Sequence, residues 1–76
     1  MRKEAVLQSA RAYLVRQGVG RPDWVVRILD LYLSGRLGRR EAEAEVHKAL
    51  LSRNLPPQRA RSVLATLFAL SAGVDA

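Results

Sequence analysis

The chain has 76 residues and carries thirteen Lys and Arg against seven Asp and Glu, a net charge of +6 at neutral pH. A body this small buries only about 60% of its unfolded surface, which argues for one domain, residues 1–76, and against a deep enzyme cleft within a single copy. Hydrophobic residues at 49% and charged residues at 26% give the balance of a folded domain, and the lack of Cys removes disulfides, thiolate metal sites and thiol nucleophiles.

The periodicity of apolar residues predicts four helices. The first covers residues 3–17, with Val6, Ala10, Tyr13, Leu14 and Gln17 on one side and Leu7 at its edge. Gly18, Val19 and Gly20 end it, because glycine adopts the left-handed backbone that closes a helix. Pro22 suits the first position of a second helix that runs to about Ser34 and stops at Gly35. Its polar residues Asp23, Arg27, Asp30 and Ser34 form one narrow stripe, and apolar side chains from Trp24 to Leu33 cover the rest of the circumference. Such a helix is expected to be buried around most of its girth, either at the centre of the other three or against a second copy.

A short turn at residues 35–38 leads to a third helix over residues 39–53, with Ala42, Val46, Ala49, Leu50 and Arg53 facing inward. Glu41, Glu43 and Glu45 crowd its first turns, where the helix dipole favours negative charge. Asn54, Leu55, Pro56 and Pro57 break the chain. A fourth helix follows over residues 57–72, with Ala60, Val63, Leu64, Leu67, Phe68 and Ser71 inward and Gly73 closing it. No β-alternation appears. The fold class is an all-α compact bundle of about four short helices.

Helices 3 and 4 have the spacing of a helix-turn-helix. That unit needs a small or apolar residue in its first helix, a residue tolerant of positive φ in the turn, and apolar residues that clamp the second helix. Ala49 and Leu50 fill the first role and Asn54 the second; Leu55 plugs the turn, and Ala60 and Val63 form the clamp. On this reading helix 4 is the recognition helix, and its early outward residues Gln58, Arg59, Arg61 and Ser62 are the base- and phosphate-reading set. Arg53, in the last turn of helix 3, is placed to reach the nucleic-acid backbone nearby.

Charge by segment adds a second basic element. Residues 1–21 hold five basic residues against Glu4, residues 22–38 are neutral, and the two remaining segments, 39–54 and 55–76, each net +1. Helix 1 is therefore the most basic element, and Arg11 and Arg16 are expected to lie along phosphate without reading sequence.

Apolar surface suggests a protein interface as well. Trp24 and Leu31 belong to the apolar girth of helix 2, and Ala65, Ala69 and Ala72 line the outer side of helix 4 at a spacing that lets another helix approach closely. Trp24, Tyr13, Tyr32 and Phe68 all fall on apolar faces and read as core anchors.

Enzyme chemistry is not expected. Glu41 and Glu45, with Lys48 and Ser52, read as an ion-paired surface. Glu43 and His47 stand four apart and can pair, but a lone histidine supplies too few ligands for a metal, and His47 reads as a surface residue. No glycine-rich phosphate loop follows a strand, and no cofactor or metal is implied. The first residues lack the apolar run of a secretory signal, and no segment is long enough to span a bilayer. The expected protein is soluble and cytoplasmic: a small basic nucleic-acid-binding protein, most readily DNA-binding, regulatory or accessory, and homodimeric. The alternative is a protein–protein interaction module or accessory subunit that uses the apolar faces of helices 2 and 4.

Overall fold

A computed structural model of the chain describes residues 2–74, and these form four α-helices with no strand among them. They are α1 (Lys3–Arg16), α2 (Pro22–Leu33), α3 (Arg39–Ser52) and α4 (Pro57–Ser71). Each ends one residue before the position its periodicity implied, and the displaced residues Gln17, Ser34, Arg53 and Ala72 are the caps.

The glycines act where the sequence placed them. Gly18 and Gly35 both hold φ +76°, and each closes its helix with a matched pair of hydrogen bonds. After α1, the Gly18 N–H donates to the Val15 carbonyl and the Val19 N–H to that of Leu14, both at 3.0 Å. After α2, Gly35 donates to Tyr32 and Arg36 to Leu31. Both are Schellman closures, which satisfy carbonyls that a bare helix end leaves open.

Exposed polar contacts mark how the helices run. Lys3 Nζ sits 3.1 Å from Asp30 and 3.2 Å from the Ser34 hydroxyl, while Arg11 Nε donates to Asp23 at 2.9 Å. The start of α1 therefore lies against the end of α2, and the two helices are antiparallel. Arg59 in the first turn of α4 reaches Gln17 at the end of α1, so α4 also runs opposite to α1. Each helix packs against two others, in the ring order α1, α2, α3, α4 and back to α1.

The core fills that ring. Val6, Ala10 and Leu14 of α1, Val25, Ile28 and Leu29 of α2, Ala42, Val46, Ala49 and Leu50 of α3, and Ala60, Val63, Leu67 and Phe68 of α4 are all buried, with Val19 and Leu55 contributed by the connections. Burying such side chains is the main favourable contribution to a fold of this kind. The inward faces of α1, α3 and α4 match their sequence periodicity; Tyr13, Gln17, Arg53 and Leu64 are half-buried at the edges.

For helix α2, the structure excludes the first of the two expected arrangements. It is not the central element, because α1 and α3 flank it and its third side faces solvent. Trp24 is 53% exposed and Leu31 36% exposed. The reading of Trp24 as a core anchor is thereby corrected: positions 24, 27 and 31 share one side of the helix, and two flanking helices cannot reach it. Tyr32 and Phe68 do anchor the core edge, with ring centroids 5.3 Å apart.

Candidate nucleic-acid interface

In this antiparallel ring, α1 and α3 end at the pole where α2 and α4 begin. The 17–21 connection and the 53–56 turn consequently lie side by side. Asn54 adopts φ +64°, the left-handed backbone that its position in the turn required, and Leu55 behind it is buried. Ala60 and Val63 are buried in the core.

Two arginines stitch the connections together. Arg53 donates from Nε to the Gly20 carbonyl at 2.7 Å and from Nη1 to the Ala49 carbonyl at 2.9 Å. Arg59 donates from Nη2 to the Gln17 carbonyl at 3.0 Å. Both place a cation on carbonyls at or beside a helix C-terminus, where the dipole is negative, so the local geometry favours their charge. Each guanidinium has five N–H donors, and these contacts leave some of them unused.

Two further arginines join them. Arg16, in the last turn of α1, and Arg21, in the connection, are exposed and have no partner among the described residues. Arg21 holds φ +51°, directly before Pro22, and together with Gly20, Ser52 and Arg53 it lines a polar recess of about 450 Å³. Residues 12–22 and 46–62, which include the two helix ends, the two connections and the first turns of α4, contain no Asp or Glu. The nearby carboxylate of Asp23 is taken up by Arg11. The N-termini of α2 and α4 add their free N–H groups and positive dipole ends to the same pole.

The residues expected to read nucleic acid are therefore distributed as follows. Arg16, Arg53 and Arg59 come together at this pole, with Gln58 exposed beside Arg59 in the first turn of α4. Arg61 and Ser62 are exposed one turn further along α4. Arg11 stands apart, held by Asp23. Arg21 was not singled out from the sequence. It becomes conspicuous only when alternate connections of an up-and-down bundle are seen to meet at one end.

Among the interface candidates, Trp24 and Leu31 flank an apolar groove between α2 and α3, and Ala65, Ala69 and Ala72 are exposed beside a second groove between α3 and α4. The second groove is partly closed by the chain itself. Arg39 bonds Glu43 at 2.7 Å and lies 5.8 Å from the Phe68 ring centre. The hydrogen bond that Arg39 donates to Glu43, then the charge of Glu43 and the electrostatic influence of Tyr32, raise the Arg39 pKa above its usual value.

Three readings of α3 need correction. Glu43 pairs with Arg39, not with His47. His47 is half-buried, and its Nε2 is buried without a hydrogen-bond partner among the described residues. Glu41 and Glu45 are exposed but unpaired, because Lys48 does not come within ion-pairing distance. No group of three or more His, Asp or Glu that could hold a metal occurs among the described residues, and no helix there is long and apolar enough to cross a membrane. Comparison with protein-family models, curated proteins and solved structures finds no match for this chain.

Proposed function

We propose that the protein binds nucleic acid, most readily duplex DNA, through the basic pole formed by the 17–21 connection, the 53–56 turn and the first turns of α4. The observation that carries this reading is the convergence of Arg16, Arg21, Arg53 and Arg59, from three separate stretches of sequence, on one carboxylate-poor end of the bundle. Arg53 and Arg59 are held in place by backbone carbonyls, which lowers the entropy lost when a phosphate is engaged. Gln58, Arg61 and Ser62 extend the surface along α4 with donors suited to base edges or phosphate.

The test is fluorescence anisotropy of a labelled random duplex and of its single strand. Four phosphate contacts predict a slope of log affinity against log salt of about −3.6 on duplex, or a loss of roughly 150-fold between about 50 and 200 mM salt. Arg16 and Arg21 have no structural partner, so the double variant Arg16→Ala, Arg21→Ala should keep its circular dichroism while its slope flattens by about 2 units. An unchanged slope removes the basic pole as the interface.

A protein–protein module is the second reading, favoured by the exposure of Trp24 and Leu31 on the solvent-facing side of α2. Absence of any binding to either strand form at the lower salt would shift the assignment to it.

A further inference from the structure

We infer that the α2/α3 groove is a self-association surface, and that two copies of the chain meet there about a two-fold axis. The groove has a volume of about 400 Å³, and its lining includes Trp24, Ile28, Leu31 and Leu37. Its rims carry opposite charge: Arg27 on the α2 side, Glu41 and Glu45 on the α3 side. None of the three has an ion-pair or hydrogen-bond partner among the described residues, although Asp23, Asp30 and Glu43 are all paired within the chain.

A two-fold interface brings the same surface of each copy against the other, so it needs a patch that complements itself. One cationic rim and one anionic rim across an apolar floor meet that condition. The rotation sets Arg27 of each copy against the Glu41 and Glu45 side of the other, and the Trp24 rings enter the shared apolar floor. Glu41 and Glu45 also stand four apart on one helix face, where two unpaired like charges repel. A partner's Arg27 relieves that repulsion.

Charge also selects a second copy over other occupants. The chain is net +6, yet the charged rim of this groove is one cation against two carboxylates. Two such basic molecules repel least through this face. The inference stands apart from nucleic-acid binding, since the groove residues are not those of the basic pole.

The experiment is sedimentation equilibrium of the full chain, with Trp24 emission followed in parallel from about 1 µM to about 1 mM, a range that brackets micromolar self-association. Trp24 is the only tryptophan, so its emission reports this surface alone. The expected result is a dimer whose formation shifts the emission to the blue. Arg27→Glu alone, and Glu41→Arg with Glu45→Arg, should each weaken association by about a hundredfold through like-charge contact. An equimolar mixture of the two variants should restore it, because each then meets its complement. These positions are exposed, and circular dichroism checks that both variants remain folded.

A monomer with invariant emission at every concentration overturns the inference. So does a dimer that neither variant weakens, which would place the contact elsewhere, as on the alanine side of α4. Loss in both variants without recovery in the mixture also overturns it, since the charge pairing would then be absent.

Discussion

Asn54 shows how one side chain sets the geometry of the basic pole. Its φ of +64° turns the chain between Arg53 at the end of α3 and Arg59 in the first turn of α4. A residue other than Gly or Asn costs about 1–2 kcal/mol in this backbone region. Asn54→Ala should therefore lower the melting temperature by several degrees, at about 4–8 °C per kcal/mol for a domain of this size, whereas Asn54→Gly should stay close to the parent. Thermal unfolding followed by circular dichroism distinguishes the two. The role of Asn54 was legible because asparagine tolerates this conformation through its own chemistry. That of Arg21, at φ +51°, was not. Arginine has no such preference, and its backbone is constrained by what surrounds it: Pro22 disfavours the α region for the residue before it, while Val19 is buried two residues earlier.

At the scale of the element, the faces of α1, α3 and α4 could be read from spacing, and the helix ends from Gly and Pro. On α3, Leu50 is fully buried while its neighbour Leu51 is 40% exposed. Leu50→Ala should cost about 2–5 kcal/mol through lost burial and the cavity left behind. Leu51→Ala should change stability by no more than about 0.5 kcal/mol. Urea denaturation with unchanged slopes would check both, and equal losses would contradict the inward face assigned to α3. The open side of α2 was not legible in the same way. Apolar residues around a helix show that cover is wanted, but the number of neighbours that supply it depends on the packing order of the whole ring. The unpaired state of Glu41 and Glu45 was hidden for a similar reason: spacing put Lys48 within reach, but helix geometry alone does not decide which rotamers meet.

For the whole molecule, the decisive property is the closure of the ring by α1 against α4. Read from sequence, Arg16 stood on helix 1, Arg53 on helix 3 and Arg59 on helix 4, and only this closure unites them. It has a topological consequence. Lys3 and Ser71 lie on neighbouring antiparallel helices at the pole opposite the 17–21 and 53–56 connections, where helix axes stand about 8–10 Å apart. A short glycine–serine linker can thus bridge the start of α1 and the end of α4, and the chain can be reopened elsewhere. Reopened between Gly35 and Arg36, the permutant keeps both arginine-bearing connections covalently whole, and it should retain the salt-steep nucleic-acid binding of the parent. Reopened between Gly18 and Val19, it loosens the Gly20 and Gln17 carbonyls that Arg53 and Arg59 engage, and binding should fall while the four helices still form. Comparing the two permutants by anisotropy separates the continuity of the pole from the order in which its parts are synthesised.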